Sequence, residues 1–341
     1  MTRNNVKVSI ITPCFNAAPF IIDTLRSVQA QSFRDIEHII VDDGSDDGSC
    51  DIINEFASRS PGRIRCLPLQ SNRGGNYARN LGLAQAEGEC YMFLDADDII
   101  LPDAIGNLME VLSSSSAGFA TCRWDRLVQT RRNQWERIAS EIPLPSENHD
   151  EALRDWLGGK TWVPPCALLW RREALERVGA WDDTLTMNQD GDIAMRALAT
   201  GINITHSAET GALYRSHASN RLTVSHSFFR KDRLQSQIKV VDKILAILVQ
   251  QNRVQLFQHA LAFAYHRIAS LGFQTGHVSL ARECQHKGDA LAGRQIVSPT
   301  RLGRVLERII GLEHKEHLAQ VAASAGFSTL GRRRIRQLQR F

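Results

Sequence analysis

Apolar, β-branched runs at KVSIIT, IEHIIVDD, IRCLPL and CYMFLD punctuate the first hundred residues. Between them apolar side chains return every three or four positions, around Ile21 to Val28, Ile52 to Phe56 and Tyr77 to Ala86. Short runs bounded by turn residues read as strands, and the longer spacing reads as amphipathic helices. The alternation predicts βαβ units, hence an α/β fold with a Rossmann-like, mostly parallel sheet and helices on both faces. In such sheets ligands bind beyond the carboxyl ends of the strands. That rim collects polar residues: Thr12 and Asn16 after the first strand, Asp42 and Asp43 after the second, Asn72 and Arg73 after the third, and Asp95, Asp97 and Asp98 after the fourth.

From Gly118 to about Ser225 the pattern is mixed and rich in tryptophan (Trp124, Trp135, Trp156, Trp162, Trp170, Trp181). The last third returns to helical spacing, as in DRLQSQIKVVDKILAILVQ and VQLFQHALAFAYHRIASLGF. Charge changes at the same place. From Ser227 onward there are 19 Lys and Arg against 7 Asp and Glu, leaving 22 against 30 before it, so the net +4 conceals an acidic part and a basic part. The expected organisation is 1–225 as one domain in two halves, about 1–117 and about 118–225, and 226–341 as a basic C-terminal helical region.

At 341 residues, 43% hydrophobic and 23% charged, the composition is globular, and no apolar stretch reaches the ~18 residues of a membrane span. After Lys7 the chain runs directly into VSIITPCF, which reads as a buried strand and not as a signal peptide. Seven cysteines without a CxxC pair suggest reduced thiols, and a cytoplasmic location is expected. The basic part favours an anionic partner, nucleic acid or an anionic membrane surface. The tail GRRRIRQLQRF lacks the aromatic interleaving of single-strand binders, which argues against nucleic acid and leaves two readings, a solvated helix-stabilising surface and peripheral contact with the inner face of the membrane.

The acidic run FLDADD needs a positive partner, because neighbouring carboxylates raise each other's pKa. On a continuing strand Asp95 and Asp97 would share one side and Asp98 the other. Two carboxylates on a rim suit a hard divalent cation that keeps positions for phosphate oxygens. The competing reading is a strand end followed by a helix cap, where aspartates are common. In IIVDDGSDDGS the twelfth position of a calcium loop would be Asn54, not glutamate, which excludes that site. A strand ending in Asp-Asp-Gly-Ser instead offers a carboxylate to a nucleotide base or ribose, or is a solvated turn.

Taken in order, VSIITPCFNAAPFIIDTLRSVQAQSF, IIVDDGSDDGS, NRGGNYARNLGLAQAEGECYMFLDADD, WRREALERVGAWDD, NQDGDIAMRALATG and YRSH resemble the large inverting glycosyltransferase family 2, from Val6 to about Ser225. The resemblance implies a GT-A fold in which about 1–117 is the nucleotide-binding half and about 118–225 the acceptor half, joined without a flexible boundary. It implies nucleoside contacts from Thr12 and Asp43, with Arg79 nearby, and a DXD motif in which Asp97 holds a divalent cation, Mn²⁺ or Mg²⁺, while Asp95 holds the ribose or supports the metal shell. His217 in YRSH would complete that shell, contact the diphosphate, or be an ordinary loop histidine. Asp190 falls at the position of the catalytic base, six residues before Arg196; the usual Glu-Asp pair is here Gln189-Asp190, with Asp192 close behind, so both aspartates stand as candidates.

The activity so implied is inverting transfer of a sugar from a nucleotide-sugar donor, UDP-linked by preference, to a hydroxyl of a glycan or lipid-linked acceptor in cell-surface polysaccharide synthesis. Acceptor-side candidates are Asp192 and Trp162, the latter as a sugar platform or as packing, beside Pro164 and Pro165; Trp170 reads as core. EHKEH lacks the HExxH spacing and reads as a solvated helix face. Two other classes compete: a sugar-1-phosphate nucleotidyltransferase, against which TPCFNAAPF has neither glycine nor lysine to bind a triphosphate, and a non-catalytic carbohydrate- or nucleic-acid-binding protein.

Overall fold

The computed structural model describes residues 7–59, 62–130, 132, 134–216 and 230–324. Two compact units divide the chain: Met1–Glu151 with Val163–Thr184 and Gln189–Arg221, and Ala152–Trp162 with Leu185–Asn188 and Leu222–Phe341.

The first unit is built on one sheet. Strands β1 (Val8–Cys14), β2 (Ile36–Asp42), β3 (Ile64–Pro68) and β4 (Cys90–Phe93) pair in parallel in the order β3-β2-β1-β4, linked by helices α1 (Ile21–Gln29), α2 (Ser49–Ser58) and α3 (Gly75–Ala84). The period of two along β2 shows why both faces are covered. Ile40 packs with Ile21, Leu25 and Ile53 from α1 and α2, whereas Ile39 and Val41 pack with Ala78 of α3. Each such side chain, removed from water, contributes about 1.5–3 kcal/mol. β1 and β4 are therefore apolar almost without interruption, as strands buried on both faces are.

Beyond β4 the sheet becomes mixed. β8 (Leu168–Arg171) runs antiparallel to β4 and to β6 (Phe119–Gln129), β9 (Ile204–Ser216) lies parallel to β6, β5 (Ile99–Ile100) is antiparallel to β9, and β7 (Trp135–Ala139) flanks β6. Parallel βαβ pairing thus continues only as far as β4. Helices α4 (Ala104–Ser113), α6 (Arg172–Val178) and α7 (Gln189–Ala199) complete this unit, and α5 (His149–Leu157) runs from it into the second. Trp170, fully buried, stacks on Phe119 with ring centroids 4.2 Å apart.

The second unit contains helices α8 (Lys231–Gln250), α9 (Val254–Gln274), α10 (Val278–Ala292), α11 (Arg301–Ile310) and α12 (Leu312–Ser324). Leu234, Ile238, Val241, Ile244 and Leu248 repeat at three and four along α8 and are buried, as the sequence period requires. Among the described residues no helix is long and apolar enough to cross a membrane. EHKEH is not a solvated face. Lys315 and Glu316 are buried, the Lys315 ammonium meets the carboxylates of Glu316 and Glu307, and Glu316 accepts a 2.8 Å hydrogen bond from Ser270 Oγ. Charge alone in a sequence does not reveal whether its counter-ion is water or another side chain; here it is another side chain.

His38, on β2, makes the first unit acid-sensitive. It is buried with Nε2 2.9 Å from Thr12 Oγ1, and burial pushes its imidazole down to about 3. In an unfolded chain it titrates near ~6.5. Between those values the unfolded state binds the extra proton, so the stability contributed by neutral His38 is complete above pH ~6.5. It is lost at about 1.4 kcal/mol per pH unit as the pH falls toward 3. Urea unfolding of His38→Gln should show a pH dependence shallower by one proton in this window; slopes identical to wild type would refute the assignment.

Candidate functional site

The carboxyl ends of β1, β2 and β4 carry Thr12, Asp43, Asp95 and Asp97 at one rim, but not in equal roles. Asp43 is buried directly after β2, and its carboxylate accepts from the backbone N–H groups of Arg73 and Gly74 at 2.7 and 2.8 Å. Gly44 makes that approach feasible: its φ is +76°, and a Cβ there would lie 2.9 Å from the Ser71 backbone. Asp43 therefore fixes the loop that opens α3. Thr12 has no exposed surface and faces His38, so it shapes the rim from beneath instead of offering its hydroxyl to a nucleoside. Phe15, the residue after β1, is exposed.

The rest of DDGSDDGS is committed to the β1–α1 loop. Asn16 N–H donates to Ser45 Oγ (3.0 Å), Ala17 N–H to Ser49 Oγ (2.9 Å) and Ala18 N–H to Asp47 Oδ2 (2.9 Å). Asp42 accepts from the Ser45 hydroxyl at 2.6 Å. These acidic and hydroxylic residues build a loop, and the amides of that loop are already satisfied.

Arg79 is the side chain around which the site is organised. It rises from α3, is buried, and donates to Asp95 Oδ1 at 2.6 Å. Its guanidinium lies 4.6 Å from the Trp181 ring, which in turn meets Phe93 of β4 edge to face at 4.9 Å. Asn80 and Asn76, on the same helix, clamp the Trp181 segment: Asn80 exchanges hydrogen bonds with Trp181 N and O, both 2.9 Å, and Asn76 Nδ2 donates to Asp182 O at 2.8 Å. Burial opposes the charge on Arg79, but Asp95, Asp190 and Asp98 outweigh it and hold the group protonated.

Asp190 stands in the first turn of α7. Burial raises its carboxyl, Arg79 lowers it and Asp95 raises it, with the balance at about 6. A carboxylate so poised is suited to accept a proton near neutral pH. Asp192, two residues on, is 1% exposed and accepts from Arg196 Nε at 2.9 Å, while Arg196 also donates to the carbonyls of Val178 and Ala180. It has no surface to present to an acceptor, contrary to the sequence expectation; it ties α7 to the segment after α6. Asp192→Asn should cost about 3 kcal/mol of stability, read as a lowered unfolding midpoint, and leave nucleotide affinity unchanged. A variant with wild-type stability and weakened acceptor KM would restore Asp192 to the acceptor side.

DADD is a turn and not a strand continuation. β4 ends at Phe93, Asp98 N–H donates to Asp95 O at 3.0 Å, and Thr24 Oγ1 of α1 lies 2.9 and 2.8 Å from the carbonyls of Ala96 and Asp98. Strand alternation therefore does not apply: Asp95 and Asp97 are half-buried at the rim and Asp98 is interior. Asp98 Oδ1 accepts from Arg215 N–H at 2.8 Å, which ties the turn to the end of β9. Burial, then Asp97 and Asp95, push the Asp98 carboxyl well up. Burial and all four carboxylates, Asp98, Asp97, Asp190 and Asp95, push up the phenol of Tyr214. Tyr214 precedes Arg215 in YRSH, and sequence reasoning passed over it in favour of His217, which lies outside the described residues. Trp162 belongs to the second unit.

Comparison with known proteins identifies the family and the fold. Residues 9–179, half of the chain, match the family described as Glycosyl transferase family 2. TuaG of Bacillus subtilis, whose name assigns it provisionally to teichuronic acid biosynthesis as a glycosyltransferase, is 37% identical over 159 residues, 47% of this chain and 62% of TuaG. The chain spans about two thirds or less of the length of the first curated relatives it matches. Among solved structures, residues 1–349 of TarS from S. aureus in complex with UDP-GlcNAc align with a TM-score of 0.54 at 16% identity, covering 83% of this chain and 89% of that one. The mannosyltransferase PcManGT from Pyrobaculum calidifontis in complex with GDP-Man and Mn²⁺ aligns with a TM-score of 0.56 at 18% identity, covering 95% and 87%. At these identities the structural likeness establishes a shared fold, the GT-A fold.

Proposed function

The chain belongs to glycosyl transferase family 2, and on that footing we propose that it catalyses inverting transfer of a sugar from a nucleotide-linked donor, UDP-linked by preference, to a hydroxyl of a glycan or lipid-linked acceptor in cell-surface polysaccharide synthesis. The carrying observation is the trio Asp190, Arg79 and Asp95: a carboxyl lifted to about 6 beside a guanidinium already paired with a second carboxylate at 2.6 Å. A sugar hydroxyl is a poor nucleophile, and Asp190 takes its proton as it attacks the anomeric carbon from the face opposite the leaving group. Arg79 holds Asp95 in place and keeps Asp190 ionised over more of the neutral range than burial alone would permit.

The excess of carboxylate around the turn fits a divalent cation, Mn²⁺ or Mg²⁺. Asp95 and Asp97 both push up Asp98 and Tyr214, the mark of a negative field that a cation would relieve. Asp97, assisted by Asp95, would hold it, and two carboxylates suffice for an ion that takes its other ligands from donor phosphates and water. When bound, it stabilises the charge developing on the departing nucleoside diphosphate. The Mn²⁺ in PcManGT and the UDP-GlcNAc in TarS support this reading of metal and donor, and TuaG supports the polysaccharide setting.

The nucleotidyltransferase reading loses ground on one observation. A triphosphate cradle needs free backbone amides, and those of Asn16, Ala17 and Ala18 are bonded to Ser45, Ser49 and Asp47. The proposed place of action is the cytoplasmic face of the membrane, where activated donors and a lipid-linked acceptor would meet. Proton NMR of the glycosylated product tests the mechanism: the anomeric configuration should be opposite to that of the donor, and retention would overturn the single displacement.

A further inference from the structure

Helix α11, RLGRVLERII, turns an apolar stripe outward. Gly303 and Glu307 are buried, while Leu302, Val305 and Ile309, spaced three and four residues apart on one face, are 58%, 49% and 73% exposed. The inward side is pinned by the Glu307 carboxylate, which accepts from the N–H groups of Val297 and Ser298, both at 3.0 Å, and from the Ser298 hydroxyl, with the Lys315 ammonium 3.7 Å away. Thr300 Oγ1 caps the helix by accepting from Gly303 N–H at 3.0 Å. Turning α11 to hide its apolar stripe would tear Glu307 from four partners, so the stripe faces outward by construction.

Its surroundings are basic. Arg301 and Arg308 are exposed beside the stripe, and the one acid on the helix, Glu307, is buried. An exposed apolar stripe rimmed by arginine is the pattern of a helix that lies in the headgroup region of a bilayer. We propose that the outward face of α11 docks on an anionic lipid surface, with Leu302, Val305 and Ile309 entering the acyl boundary and Arg301 and Arg308 meeting lipid phosphates. The alternative, a second copy of the chain, has charge against it: two-fold pairing of this face would set arginines against arginines with no exposed acid on the helix to match them. α12 adds the exposed apolar groups Leu318 and Val321 to this end of the chain. The five arginines of GRRRIRQLQRF lie beyond it in sequence, outside the described residues.

This gives a surface to the membrane setting proposed above, and its test needs no donor. The full chain is sedimented with phosphatidylcholine vesicles and with vesicles containing about one part in four phosphatidylglycerol, at low and high salt. Wild type should partition onto the anionic vesicles at low salt, and Val305→Ser with Ile309→Ser should lower that partition by ~10-fold or more. Arg301→Gln with Arg308→Gln should lower the preference for anionic lipid while leaving binding to neutral vesicles unchanged. Truncation before Gly331 should weaken binding but leave the effect of the serine pair intact, which separates α11 from the tail. All four positions are solvent-exposed, so melting temperatures should match wild type. Anionic-vesicle binding unchanged in both double variants overturns the proposal. So does light scattering that shows a wild-type dimer, indifferent to vesicles, which the serine pair converts to monomer. Donor hydrolysis without vesicles reads the transfer chemistry separately and should be equal in every α11 variant.

Discussion

Asp190→Asn should lower turnover by about 10²-fold or more while donor affinity changes little. Asparagine keeps the shape and most of the hydrogen bonding of the side chain but cannot take a proton from the acceptor. Its neighbours set the pH profile. With the Asp190 carboxyl at about 6 in the unliganded protein, the base is protonated and idle below that value and ionised above it, so kcat/KM should rise through about pH 6 and level off. In Asp190→Asn that acid limb should vanish along with the rate. An acid limb that survives unchanged, or a mild loss at Asp190 beside a severe one at Asp192→Asn, would place the base elsewhere.

Asp97→Ala should abolish turnover and remove the metal dependence of donor binding while leaving the fold intact. The fold should survive because the turn is held by groups other than Asp97: Thr24 meets the carbonyls of Ala96 and Asp98, and Asp98 accepts from Arg215 N–H. Loss of Asp97 should even relieve the interior, since it is one of the charges that push up Asp98 and Tyr214. Nucleotide titrations of wild type with Mn²⁺ and with chelator supply the comparison; equal affinity in the two would sink the cation assignment. Asp95→Ala should be damaging for a different reason, because it strips Arg79 of its 2.6 Å partner.

The parallel half of the sheet was legible because a strand buried on both faces must be apolar throughout and its helices must repeat at three and four. β4 and α1 follow that rule closely, whereas β2 carries Glu37 and His38 among its buried positions and α3 buries Asn76 and Arg79. The mixed half was not, since β6 and β9 are long strands with a bulge between Cys122 and Trp124, where side-chain alternation breaks. At the site, residue types announced the chemistry but not the division of labour. Nothing in the letters distinguishes the Asp43 carboxylate, bonded to two backbone amides, from Asp97 at the rim, or Asp192, bonded to Arg196, from Asp190. Arg79 was visible as a candidate, yet its pairing with Asp95 depends on α3 and the end of β4 meeting in space. Likewise the burial of Glu307 is what reveals which side of α11 faces out.

We propose that a nucleotide sugar is cleaved at its anomeric carbon at the Asp97 and Asp190 site. The most direct test is a panel of nucleotide sugars incubated with Mn²⁺ or Mg²⁺, in which released nucleoside diphosphate and pyrophosphate are quantified together for wild type, Asp97→Ala and Asp190→Asn. Metal-dependent release of nucleoside diphosphate from one donor class, lost in both variants, is the predicted result. Pyrophosphate formed from a nucleoside triphosphate and a sugar 1-phosphate, with no nucleoside diphosphate released from any donor, would contradict it.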